Sequence, residues 1–144
     1  MTAYRDARDA VQAVWTANWP APPGVPVRWH ANTEELIPDV GTSTHWLHLS
    51  VEFAEEAIRA FGGGRFANDR VLSGSVVIRI LAARGEGEDT SLDLLSDAMT
   101  TFRSRRDGNL SFIGDAMIPE PGASDDGNWW VRSAIAVFEF RFQG

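Results

Sequence analysis

Cysteine and lysine are both absent from this 144-residue chain, and no apolar run is long enough to cross a bilayer as a helix. Without cysteine there is no disulfide framework, no thiolate metal site and no cysteine nucleophile, a composition compatible with a reducing cytoplasm. Without lysine, all 13 basic residues are arginine. Arginine forks suit phosphate, but a GC-rich coding bias that also supplies many alanines is the simpler origin. Twenty acidic residues leave a formal net charge of −7, which disfavours a tight grip on a nucleic-acid backbone, though not a surface that DNA slides past. The stretch from Met1 to Val14 interleaves Arg5, Asp6, Arg8 and Asp9 with apolar residues and has no signal-peptide core, so a cytosolic protein without membrane contact is expected. With 44% hydrophobic and 23% charged residues, residues 1–144 read as a single domain with one core.

What is present is dominated by strand pattern. Leu47, Leu49, Val51 and Phe53 alternate with Trp46, His48, Ser50 and Glu52, the period of a strand with one buried face. Gly62, Gly63 and Gly64 form a hairpin tip, and Val76, Ile78, Ile80 and Ala82 return on one face with Val77, Arg79 and Leu81 on the other. Pairing from Trp46 to Phe61 would make an arm roughly 50 Å long, against a diameter of about 37 Å for a compact chain of this size. Part of the hairpin is therefore expected to protrude and to need a partner. Ala54, Ile58 and Phe61 also fit helical spacing, with Gly62 as terminator; strand is the favoured assignment.

Around the hairpin, Thr2 can cap a helix from Ala3 to Ala17 with Tyr4, Ala7, Val11, Val14 and Trp15 at spacings of three and four, stopped by Pro20, Pro22 and Pro23. Val25 to Ala31 predicts a short strand. Thr90 and Asp93 resemble a capping box opening a second helix, with Leu92, Leu95, Met99 and Phe102 as its buried stripe and its end near Arg106. Arg103, Arg105 and Arg106 then complement the helix dipole. Two strands, Leu110 to Ile118 and Trp129 to Phe142, flank a loop from Pro119 to Gly127. The order predicts an α+β domain, a mostly antiparallel sheet with a long β-hairpin and two helices packed on it.

No constellation carries recognisable chemistry. His45 and His48, three apart in a strand, point to opposite faces and with His30 make no ligand set, so no metal site and no cofactor site is expected. Gly62-Gly63-Gly64-Arg65 lacks the Lys-Ser/Thr of a phosphate loop and precedes a strand. Glu86, Glu88 and Asp89, or Asp125 and Asp126, could collect a hard cation, but neither matches a calcium loop and solvated acidic turns are the simpler reading. Ser73 and Ser75 have no nucleophile motif, and no carboxylate pair lies on a clearly buried face. Of six tryptophans, Trp15 and Trp29 read as core, whereas Trp19, Trp46, Trp129 and Trp130 lie near element ends. Trp129 and Trp130, adjacent in a strand, face opposite ways, so one of them is a candidate contact residue between subunits.

Taken together, the helix from Ala3 to Trp15, the strand from Trp46 to Val51, Leu72 to Ile80, the Gly85-x-Gly87 turn, Leu92-x-x-Leu95-x-x-Ala98-Met99-x-x-Phe102 and the closing Phe138-Glu139-Phe140-Arg141-Phe142 resemble the tail terminator proteins of long-tailed bacteriophages, a match of element order over nearly the whole chain. The resemblance implies a virion tail protein without enzymatic activity, assembled in the bacterial host cytoplasm. It would form a homohexameric ring on the tail tube protein, end tube polymerisation and join the head–tail connector protein, while DNA passes through without specific binding. The interface residues expected on this reading are Ile58, Phe61, Arg65, Phe66, Arg103, Arg105, Arg106 and Trp130, with Glu86, Glu88 and Asp89 or Asp125 and Asp126 lining an acidic channel. The competing expectation is a small ligand-binding domain or enzyme with a cone-shaped, cyclase-like sheet around an apolar pocket; a buried His30, His48 or Asp115 would favour it, and exposed ones the ring.

Overall fold

The computed structural model describes residues 3–30, 44–60, 68–123 and 127–144. In chain order the elements are α1 (Ala3–Asn18), β1 (Val27–Trp29), β2 (His45–Ala60), β3 (Asp69–Ala83), α2 (Glu88–Phe102), β4 (Arg106–Asp107), β5 (Leu110–Ala123) and β6 (Trp129–Gln143). One six-stranded sheet runs in the order β1-β2-β3-β6-β5-β4. Its pairs are antiparallel except β1 with β2, and the chain is an α+β single domain.

Alternation assigns the two sides of the sheet. Leu47 and Leu49 on β2, Val76, Ile78 and Ile80 on β3, Ala134, Ala136 and Phe138 on β6, and Leu110 and Phe112 on β5 share one face in register, all but Phe112 nearly inaccessible. Both helices pack there, α2 across β3 and β6 with α1 beside it. Ala7, Val11, Val14 and Trp15 of α1 meet Leu94, Leu95, Ala98 and Phe102 of α2 in one core. Trp15 stacks on Trp19 at 4.6 Å and lies 5.4 Å from Phe102, and Trp29 meets it edge-on at 6.3 Å. Burying each large side chain contributes about 1.5–3 kcal/mol, so this aromatic knot anchors the helix layer.

Segment 54–60 is strand. A bulge lies between Phe53 and Glu55, opposite Gly74, and Phe53 is 39% exposed although its parity matches Leu47; Tyr4 of α1 meets the Phe53 ring edge-on at 4.9 Å and donates to Glu56 Oε2 at 3.2 Å. The outer hairpin is backed by a third strand, since β6 accompanies β3 to the Asp69↔Gln143 pair. The tip at Gly62, Gly63 and Gly64 lies outside the described residues.

The second helix differs from expectation at both ends. It starts at Glu88 with Gly87 as its cap and no side-chain cap bond, so Thr90 and Asp93 do not form a capping box. Acids in the first turn complement the dipole instead, and Arg132 Nη2 donates to Glu88 Oε1 at 2.6 Å. It ends at Phe102, four residues before Arg106: Ser104 takes φ 58° and turns the chain out of the helix into β4. Strand β5 continues past Pro119 to Ala123, with a register shift between Ile118 and Gly122 that carries Pro119 and Pro121 out of the ladder. That is where residues lacking an N–H are tolerated.

Candidate functional site

Any site must be built on what the helices leave uncovered. The opposite sheet face carries Trp46, His48 and Ser50 on β2, Leu81, Arg79 and Val77 on β3, and Val131, Ser133, Ile135 and Val137 on β6. The four β6 residues and Val77 are half-buried and stand outside the helix-covered core cluster. Two sheet edges are also free among the described residues. Strand β1 covers only Leu47 to Leu49 of β2, leaving Ser50 to Ala60, and β4 with the Arg105 carbonyl covers only Leu110 to Phe112 of β5, leaving Ile113 to Ala123. On the β5 edge Ile113 is 59% exposed and Met117 45%, with Ile118 beside them; Ile58 is exposed on the β2 edge. These apolar groups belong to no core, and a free apolar edge is a template for pairing with another chain.

The residues that would mark a pocket enzyme do not converge. His48 is half-buried on the helix-free face, His30 is exposed with its ring 5.7 Å from that of His48, and Asp115 pairs with Ala136 on the helix-covered side. Burial first, then the charges of Arg79 and His30, push the His48 pKa below its ordinary 6.5. Asp115 accepts from Arg103, with Nη2 at 2.7 Å and Nε at 2.8 Å. His45 shares a face with Leu47 and is buried, Nδ1 2.9 Å from Thr44 Oγ1, so it and His48 do point to opposite sides of the sheet. Among the described residues no three histidines or carboxylates gather closely enough to hold a metal ion. An open groove of about 670 Å³ lies at the far end of the sheet, lined by Asp69, Arg70, Asn109, Glu139 and Arg141 among others. There Arg70 is engaged by the carbonyl of Gly144 at 2.9 Å and by Glu56 at 3.5 Å.

The expected interface residues divide. Ile58 and Trp130 are exposed. Trp130 bonds Glu88 at the start of α2, while Trp129 is half-buried and meets Trp46 edge-on at 6.1 Å, so the adjacent pair does point to opposite sides. Phe61, Arg65, Phe66, Asp125 and Asp126 lie outside the described residues. The arginine triplet is not one patch: Arg103 is held by Asp115, Arg105 Nε donates to the last-turn carbonyl of Thr101 at 3.3 Å, and Arg106 is exposed in β4. Two of the three thus serve the fold, Arg105 by satisfying a helix-end carbonyl. Glu88 is likewise engaged, and the hydrogen bond and charge of Arg132 hold its pKa below the usual carboxylate value.

Sequence reasoning missed the β5 edge and a cationic row across the helix-free face. Its signal was present in β5, where apolar residues occupy both parities, Phe112 and Ile113, Met117 and Ile118. Parity alone cannot tell a strand covered on both faces from one left bare.

No family profile and no curated protein sequence matches this chain. A solved structure with 15% sequence identity superposes on 94% of this chain and 96% of its own length, with a TM-score of 0.58. That likeness concerns the fold.

Proposed function

We propose that this protein is a structural subunit of a long-tailed phage tail or a related particle, without enzymatic activity, that forms a ring on the tail tube, ends its polymerisation and presents a surface to the head connector. The observation that carries the reading is the set of apolar side chains left outside the core on the two free sheet edges, Ile113, Met117 and Ile118 on β5 and Ile58 on β2. Such groups are explained by partners better than by solvent. The order of helix, hairpin, helix and aromatic closing strand supports the same reading, as in the family resemblance. His30 is exposed and His48 and Asp115 are half-buried on opposite sides of the sheet, which supports the ring reading over a cyclase-like pocket only weakly.

On this reading the outer part of the β2–β3 hairpin contacts a neighbouring copy, and the β5 edge is offered to the tube or the connector. Six copies carry about 6 × −7 = −42 formal charges, so an acidic channel, lined by Glu86, Glu88 and Asp89 or by Asp125 and Asp126, lets DNA pass without sticking. The test is a clean gene deletion read by electron microscopy. Tails of abnormal length without joined heads are expected, and tails of normal length joined to heads refute the proposal.

A further inference from the structure

One end of the helix-free face collects hydrogen-bond donors that nothing beside them accepts. Arg28, His48 and Arg79 are direct register partners on β1, β2 and β3, so they stand in one transverse row. Adjacent strands lie about 4.8 Å apart, and the row spans about 10 Å. The His30 ring lies 5.7 Å from that of His48, and the His30 N–H bonds the Leu49 carbonyl, which holds the chain against β2 just past the row. Both arginines are half-buried, and neither guanidinium has a hydrogen bond or ion pair among the described residues. The Trp46 ring meets that of His48 edge-on at 6.4 Å, and its buried Nε1 has no acceptor either.

The missing element is an acid. The chain has 20 acidic residues against 13 arginines, yet the carboxylate nearest the row on this face, among the described residues, is Glu52. It stands four residues beyond His48 along β2, about 13 Å away, and accepts from Ser50 Oγ at 3.3 Å. With no counter-charge at hand, burial first and then the charges of Arg79 and His30 keep His48 mostly neutral at pH 7. Donors held partly out of water without a partner call for an ion or an ordered water, and each guanidinium brings five donors and no acceptor. We propose that the row binds a phosphate dianion, free or as a monoester, seated over His48 between the forks of Arg28 and Arg79 with His30 at its rim. The number of donors selects the ligand class. One fork satisfies a carboxylate and leaves the second arginine unmatched, whereas the three terminal oxygens of a phosphate offer an edge to each fork and an acceptor to the imidazole. A phosphodiester keeps two such oxygens and one charge, so the DNA backbone is the poorer fit. The dianion also supplies the missing charge, so its binding and the protonation of His48 favour each other.

The inference stands apart from the proposed function, since it uses a patch of the sheet face and neither of the free edges. The test is an NMR titration of the full-length protein with inorganic phosphate at pH 7, with sodium chloride holding the ionic strength constant and sodium acetate as a parallel arm. Saturable shifts of the His48 ring and of the Arg28 and Arg79 side chains are expected, with a dissociation constant of about 1 mM or tighter, and the His48 midpoint is expected to rise in saturating phosphate. Arg28→Gln with Arg79→Gln is expected to weaken binding about tenfold or more; Arg79→Gln alone carries the same comparison if circular dichroism shows the double variant unfolded. Adenosine monophosphate binding more tightly than inorganic phosphate assigns the site to a monoester, and equal or weaker binding assigns it to the free ion. The proposal is overturned if no saturable shift develops up to about 10 mM phosphate, if acetate gives the same shifts, or if the folded variant binds like wild type. Duplex DNA that moves the same signals at lower concentration than phosphate, at physiological salt, assigns the row to the nucleic-acid backbone and overturns it as well. Tail length in the gene deletion is unaffected by any of these outcomes, so the two readings fail separately.

Discussion

Replacing Gly74 with alanine sets two known effects against each other at one position. Gly74 is the register partner of Phe53 on β2 and of Phe138 on β6, beside the bulge between Phe53 and Glu55. A Cβ there would lie 2.5 Å from the main-chain oxygen of Glu52 and 2.7 Å from Phe138 Cζ. Glycine within a strand costs about 0.5–1 kcal/mol relative to alanine, so the substitution begins with a gain of that size. Overpacking a filled site costs about 1–3 kcal/mol, and the upper half applies because the nearer obstacle is backbone, which cannot swing aside. The net expectation is a loss of about 1–2 kcal/mol, or roughly 5 °C in Tm for a domain of this size. The matched control is Gly114→Ala on β5, where a Cβ meets nothing within 4 Å and no positive φ intervenes; it is expected to be neutral or slightly stabilising. Urea denaturation of both variants, with equal slopes, measures the difference. If Gly74→Ala is as stable as Gly114→Ala, the close approach of Phe138 and the Glu52 carbonyl does not hold the hairpin in place.

Phe102→Ala empties the centre of the aromatic knot, where the ring is fully buried between Trp15 and Phe112, and is expected to cost about 3–5 kcal/mol by denaturant titration. His48 is depressed below its ordinary pKa of 6.5 in the fold, so protonation disfavours the folded state. Its contribution is fully present above about pH 6.5 and is lost as pH falls through the depressed folded value; an NMR titration should place its midpoint below 6.5 and show it rising in Arg79→Gln. Arg103→Gln breaks a pair whose guanidinium is 52% exposed, so a loss of only about 0–1 kcal/mol is expected from thermal melts, reduced further by added salt. Ile58→Asp changes a group exposed on the hairpin edge and should weaken self-association in sedimentation while leaving the melting temperature within a few degrees; an unfolded variant would place Ile58 in the monomer's own core.

Local pattern settled most of the architecture. The period of three and four in Tyr4 to Trp15 and the period of two in Trp46 to Phe53 and in Ala134 to Phe142 are properties of neighbouring residues, and they yielded both helices, the main strands and the α+β class with a mostly antiparallel sheet. The places where sequence reasoning failed share one cause. The helix α2 starts at Glu88 after the extended Gly87, ahead of the Thr90 expected to cap it, and Glu88 there bonds Arg132, which lies 44 residues away. The hairpin is backed by β6 because of a pairing that sequence distance conceals. Which side of the sheet the helices cover is likewise absent from strand alternation, since Val76 and Val77 look alike until α2 packs on one of them. Only the tertiary arrangement decided that Arg28, His48 and Arg79 stand in one row, because three strands separated along the chain must first pair in register. It also decided that Asp115 belongs to the opposite side. Burial is a property of what packs against a residue, and that is set by contacts between distant parts of the chain.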